Sequence, residues 1–152
     1  MISELSGLYQ EMILDHNRRP RNFHKLVPAT RTAEGYNPLC GDKITVYLDL
    51  DGDTVRDISF EGSGCAISKA SASMMTESLK GKSRQQVEAI FKMFHSLVTG
   101  QGGAPAAPAP DLGKLVVFSG VREFPVRVKC ATLAWHTLRS ALENRAGTTS
   151  TE

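Results

Sequence analysis

Three cysteines and one aspartate carry the chemistry this sequence could perform. Cys40 lies in Asn37-Pro38-Leu39-Cys40-Gly41-Asp42, Cys65 closes Gly62-Ser63-Gly64-Cys65, and Cys130 ends Arg127-Val128-Lys129-Cys130. A thiolate binds metal or attacks sulfur, whereas a thiol does neither well. Asp42 follows Cys40 by two residues and reaches the same point if the turn is tight. Three thiolates and a carboxylate would complete a tetrahedral Zn²⁺ site with a formal charge of about −2. Lys129 and Arg127 are placed to offset part of that charge; a protonated amine is a poor ligand, so Lys129 has an electrostatic role. From spacing alone a second reading stands beside the first. The Cys40–Cys65 and Cys65–Cys130 separations match no local zinc-finger pattern, and three free cysteines can be buried separately.

Other chemistries find no support. No nucleophile-elbow glycine pattern surrounds a serine, and Gly62-Ser63-Gly64 lacks the lysine and spacing of a phosphate loop. His16, His24, His95 and His136 read as surface or packing residues, and Met74, Met75 and Trp135 as core. The basic run Arg18-Arg19-Pro20-Arg21 reads as a solvated linker.

The elements that must position the cysteines follow from periodicity. Leu5, Leu8, Tyr9, Met12 and Ile13 recur at helical spacing and predict a first helix over residues 3–16. A short strand is expected over residues 30–36. Ile44, Val46, Leu48 and Leu50 alternate with polar residues, Asp51-Gly52 signals a hairpin, and a return strand is expected over residues 54–61. The period then changes. Ile67, Ala70, Ser71, Met74, Met75 and Ser78 trace one helical face ended by Gly81, and Ser83 with Gln86 resembles a capping box before another helix. Residues 100–110 are rich in Gly, Ala and Pro and read as a mobile loop. Residues 112–121 fit helix or strand equally. Pro125 is placed as an early residue of a last helix, with Cys130, Leu133, Ala134, Thr137, Leu138, Ala141 and Leu142 on one stripe. Each cysteine thus falls at the end of an element, and a helix N-terminus would favour the thiolate of Cys65 and Cys130.

The sum is an α+β fold, a small antiparallel sheet with helices packed on one face. One domain is expected over residues 1–146, with residues 100–123 as an insertion and residues 147–152 as a flexible tail. A net charge of +2 is too small to argue for nucleic acid or an anionic membrane. No apolar run spans a bilayer, and residues 1–14 lack the basic region of a signal peptide, so a cytoplasmic location is expected. Reduced thiols persist there.

The three cysteine segments resemble the signature segments of the SufU/IscU family, also called NifU N-terminal-like. Leu8-Tyr9 through Asp15-His16, and Pro20-Arg21-Asn22-Phe23, resemble its N-terminal region. The likeness runs over residues 5–142. Within the family the sequence is similar to the SufU type. Lys129 stands where the IscU type has histidine, and residues 100–123, with Phe118-Ser119-Gly120-Val121-Arg122, look like the SufU insertion. The resemblance implies an iron–sulfur cluster assembly protein acting as a zinc-dependent sulfurtransferase, a sulfur relay rather than a stand-alone metabolic enzyme. It implies a pyridoxal-phosphate cysteine desulfurase (SufS-like) as partner and SUF-type assembly proteins downstream. Cys40 would be the persulfide acceptor, with Cys40, Asp42, Cys65 and Cys130 holding zinc at rest. Docking on the desulfurase is expected to supply a replacement ligand and free Cys40. Two alternatives share these residues: a scaffold for a transient [2Fe–2S] cluster or iron, and a zinc-stabilised module that activates the desulfurase.

Overall fold

A computed structural model describes residues 2–100, 112–144 and 148–150. Helix α1 (Ile2–Arg18) precedes strands β1 (Arg31–Asn37), β2 (Asp42–Asp51) and β3 (Thr54–Ser63). Helices α2 (Ala66–Leu79) and α3 (Arg84–Thr99) follow, then a 3₁₀ segment (Gly113–Glu123), helix α4 (Pro125–Leu142) and a short strand β4 (Thr148–Ser150). The sheet order is β3-β2-β1-β4. The first three strands are antiparallel, as the sequence predicts. The β2–β3 loop is Gly52-Asp53, with the positive φ that glycine accepts at its first position.

One face of this sheet grades from core to chemistry. Cross-strand rows Ala33–Val46–Phe60 and Gly35–Ile44–Gly62 are followed by the pair Asn37–Asp42 at the sheet's end. The first row is apolar and buried. In the second, Gly35 has no room for a side chain, because a Cβ there would overlap Thr137 Oγ1 of α4. That close approach seats α4 on β1. The third row is polar yet fully buried, Asn37 and Asp42 both being inaccessible.

The helices lock together behind this face. Trp135 of α4 stacks on Phe94 of α3 (4.5 Å, 16°), and its indole N–H donates to Ser71 Oγ at 3.1 Å. Ser71 Oγ–H in turn donates to the Ala131 carbonyl at 2.6 Å, tying α2 to α4. Helix α2 departs from the one-faced pattern expected of it. Ser68 and residues 70–76 are buried around its circumference, because its Ser and Ala side chains let α1, α4, β3 and the 3₁₀ segment approach from different sides. The Ser83–Gln86 capping box forms as expected, and Gly100 closes α3 in the left-handed conformation. Met74, Met75 and Trp135 are core residues.

Three expectations meet a different outcome or none. The segment undecided between helix and strand is 3₁₀, with Leu115, Val117, Phe118 and Val121 buried. Within the tail expected to fray, Thr148–Ser150 lie parallel to Glu34–Tyr36 and cover the edge of β1, and the other tail residues lie outside the described residues. The expected mobile loop lies, apart from Gly100, outside the described residues. Among the described residues no helix is long and apolar enough to cross a membrane.

Candidate metal centre

The β1–β2 connection is a four-residue loop whose ends are pinned by Asn37. The Gly41 N–H donates to the Asn37 carbonyl at 2.8 Å, and the Leu39 N–H to Asn37 Oδ1 at 3.3 Å. Gly41 turns the chain with a φ of 72°. The loop therefore presents Cys40, half-buried, beside the first residue of β2, Asp42. Asn37 also reaches inward. Its Nδ2 donates to Asp42 Oδ2 at 3.2 Å and lies 3.6 Å from Cys130 Sγ.

Asp42 is held from the other side by the β3–α2 turn. The Cys65 N–H donates to Asp42 Oδ1 at 2.8 Å, and Cys65 Sγ lies 3.9 Å from Asp42 Oδ2. Gly64 makes this possible, since a Cβ at that position would overlap Asp42 Oδ1. Cys65 is the N-cap of α2, and its sulfur accepts from the Ser68 N–H at 3.5 Å. Cys130 approaches from α4, fully buried, with its Sγ 3.3 Å from Cys40 Sγ. Cys40, Asp42 and Cys130 each bring a ligand atom to within 4.8 Å of the others. Cys65 is not in that group and adjoins it through Asp42, so three of the four expected ligands meet at one point and the fourth stands at its edge.

The thiols are electrostatically unequal. A hydrogen bond from Cys130 and the Ser68 N–H pull the Cys65 thiol down to about 6 against the opposing effect of burial. Cys130 moves strongly up, through that same bond, burial and its contact with Cys40. The helix N-terminus therefore acts on Cys65 as expected but not on Cys130. With Pro125 as the first helical residue, Cys130 lies beyond the first turn, where the dipole effect has faded. Lys129 is half-buried beside Cys130 and Arg127 is exposed. Among the described residues neither forms an ion pair.

The donor set suits a thiophilic divalent ion. Two sulfurs and a carboxylate converge with a third sulfur, that of Cys65, against the carboxylate, and Asp42 is fully buried with no cationic partner among the described residues. A carboxylate removed from water without an opposite charge is costly. Two N–H donors answer part of that cost, and a bound cation would answer the rest. Among the residues that build the site, sequence reading missed Asn37 as a support, and it expected the glycine before Cys65 to allow close approach of a ligand without foreseeing Asp42 as its neighbour. Asn-Pro at a strand end is the one available signal for Asn37. Nothing local announces that Gly64 stands against Asp42.

Residues 8–131 match the model of the NifU-like N terminal domain. The chain is 40% identical to the zinc-dependent sulfurtransferase SufU of Bacillus subtilis over 145 residues, covering 95% of this chain and 96% of that protein. It is 39% identical to the iron–sulfur cluster assembly scaffold protein IscU of Streptococcus pyogenes, covering 95% and 89%. Among solved structures it is similar to a SufU from Fervidobacterium islandicum, described as a cluster assembly scaffold for the SUF system, with a TM-score of 0.80 and 37% identity over 87% of this chain and 94% of that one. Signature segments, fold and buried donor cluster agree with these matches, and the chain belongs to the IscU/SufU family of iron–sulfur cluster assembly proteins, which share the NifU-like N-terminal domain.

Proposed function

We propose that this chain is a zinc-dependent sulfur relay, taking sulfur as a persulfide on Cys40 from a pyridoxal-phosphate cysteine desulfurase and passing it to SUF-type assembly proteins in the cytoplasm. The observation that carries this reading is the placement of Cys40. It is the half-exposed thiol of a loop tip, yet its sulfur lies 3.3 Å from the fully buried Cys130 and within 4.8 Å of the Asp42 carboxylate. An accessible sulfur backed by inaccessible donors can be both held and presented. The relative named SufU in Bacillus subtilis supports the choice of zinc and of sulfur transfer.

Cys40, Asp42, Cys65 and Cys130 would hold the ion. When bound, zinc keeps thiols deprotonated at neutral pH and shields them from oxidation. The chain's own residues do the rest. Asn37 and the Cys65 N–H orient Asp42, the Pro38–Gly41 loop carries Cys40 outward, and Leu39 stands 59% exposed beside it as an apolar contact for the partner. In the transfer, Cys40 sulfur attacks the outer sulfur of the partner's persulfide. The partner's S–S bond breaks, its cysteine leaves as thiolate, and Cys40 carries the new persulfide. Lys129 and Arg127 contribute positive charge near this anionic exchange.

The test is sulfur transfer from radiolabelled L-cysteine through a cysteine desulfurase, for wild type and Cys40→Ala, with circular dichroism to verify the fold. Label on the wild type and none on Cys40→Ala is expected; equal labelling would sink the assignment. A second reading, a scaffold for a [2Fe–2S] cluster, is supported by the relatives named scaffold and by the thiolate-rich donor set. Purification without oxygen separates the two: a colourless zinc protein supports the relay, and a brown protein rich in iron and sulfide supports the scaffold.

A further inference from the structure

We propose that Cys130 is a resolving thiol for a persulfide on Cys40, releasing the outer sulfur as sulfide within the same chain whenever the pair is not held by a metal. This inference rests on the reading of Cys40 as the sulfur acceptor. Its basis is the contact between the two sulfurs, 3.3 Å apart across 90 residues of sequence, both of them free thiols. That separation is at or inside van der Waals contact, so bond formation requires only a small displacement of the Cys40 loop.

The pair is asymmetric: burial and its neighbours hold the Cys130 thiol toward its protonated form, so its attack requires that the proton pass to the departing sulfur in the same step. Cys40 is half-exposed on a loop of four residues, next to a Gly41 with open space around it. Cys130 is wholly inaccessible on α4. Thiols in solution cannot reach Cys130; within the chain its thiol neighbours are Cys40 and Cys65. Cys65 is placed differently. It caps α2, lies against the Asp42 carboxylate, and among the described residues has no hydrogen bond to Cys40.

The step balances without an added reductant. A bond forms between Cys130 Sγ and Cys40 Sγ, and the bond from Cys40 Sγ to the outer sulfur breaks. The outer sulfur leaves with that electron pair and the proton that Cys130 gives up, as HS⁻. It is reduced from the sulfane to the sulfide level while the two cysteines are oxidised to a disulfide. A dithiol reductant then restores the two thiols. Attack on the outer sulfur, which would move the persulfide to Cys130, needs room beside a fully buried side chain; attack on the inner sulfur uses the contact already present. Metal occupancy would then decide the fate of the sulfur: handed on intact when the thiols are engaged, released as sulfide when they are free.

The test uses the full-length chain stripped of metal by a chelator and loaded with sulfur by brief treatment with inorganic polysulfide, followed by desalting into thiol-free buffer. Released sulfide is measured over time, and peptides are mapped by mass spectrometry. Wild type should release one sulfide for each Cys40–Cys130 disulfide formed. Cys130→Ser should keep the added sulfur on Cys40 and release sulfide at least about tenfold more slowly. Equal release from the two chains would overturn the inference, as would a persulfide found on Cys130 or a disulfide to Cys65. The disulfide map of the wild type decides the matter even if the variant folds poorly. If Cys40 of the Cys130→Ser chain takes up no sulfur, this inference and the acceptor reading fall together. If it takes sulfur up and wild type holds it equally long, only this inference falls.

Discussion

Gly64 stands directly against the Asp42 carboxylate, so that a single added carbon at position 64 would occupy the place of Oδ1. The same carboxylate is fully buried and receives the N–H of the next residue, Cys65, at 2.8 Å. Backbone from the β3–α2 turn thus forms one wall of the candidate metal centre. Replacing Gly64 with Ala should displace Asp42 and destabilise the fold by about 1–3 kcal/mol, the usual cost of overpacking. Zinc content after purification should fall together with the midpoint of urea denaturation. Unchanged zinc and stability would mean that the wall yields.

Asn37 supports the opposite wall, donating to Asp42 Oδ2 and lying against Cys130 Sγ. Asn37→Ala removes these donors and the Asn37 Oδ1 acceptor of the Leu39 N–H. A loss of about 1–3 kcal/mol is expected, because buried polar partners are left unsatisfied. A zinc competition titration with a colorimetric chelator should show weaker binding. The Cys40 loop, released from its anchor, should also react faster with a thiol reagent.

Gly35 tests whether α4 must sit close to the sheet for the site to form. It is remote in sequence from Cys130, yet a Cβ there would overlap Thr137 Oγ1 and push α4 from β1. Gly35→Ala should therefore lower stability by about 1–3 kcal/mol and also weaken metal binding, since Cys130 rides on the displaced helix. Gly35→Ala with Thr137→Ala removes the clashing hydroxyl, and partial recovery of both properties is expected. Loss of stability with metal affinity intact would show that the helix pivots without moving Cys130.

Acid should destabilise the protein through His16, which is buried, and His136, which is half-buried. Burial, then the Arg21 charge, hold His16 below its ordinary value, with Lys114 of the 3₁₀ segment adding to this and Glu77 and Asp15 opposing it. Its Nδ1 lies 2.7 Å from Ser73 Oγ, which accepts the Arg21 N–H at 2.8 Å. Burial, His95 and Arg139 shift His136 in the same direction. For a histidine depressed in the folded state, the unfolded chain binds more protons. Stability is therefore fully present above the unfolded value near 6.5 and is lost as pH falls from there through the folded values. Urea melts between pH 7.5 and about pH 5 should show this slope, and His16→Gln should flatten part of it. A slope unchanged in that variant would assign the effect elsewhere.

Much of this architecture was legible in the sequence because its signals are local. Alternation of Ile44, Val46 and Leu48 marks β2, Ser83 and Gln86 mark the start of α3, and Pro125 marks the start of α4. The donors were legible as residue types at element ends. Their convergence was not, because it depends on non-local pairings: Asn37 across from Asp42, α4 on Gly35, Gly64 against a carboxylate. Helix α2 misled for a related reason. A stripe of Met and Ile suggests one buried face, whereas Ser and Ala on the other faces are small enough for neighbours to bury them too. The 3₁₀ segment lacked a periodic signature, since it takes its shape from packing against α3 and α4.

The span of chain between Cys40 and Cys130 also dictates when the centre can come into being. The two sulfurs that touch in the finished fold are 90 residues apart, and the second belongs to the last helix. A chain emerging during synthesis can complete its hairpin and α2 while Cys130 does not yet exist. If the centre holds a metal as proposed, loading would be an event of the finished molecule. A nascent or truncated chain lacking α4 would expose Cys40 and Cys65 without their third thiol, and delivery of metal would distinguish completed copies from unfinished ones.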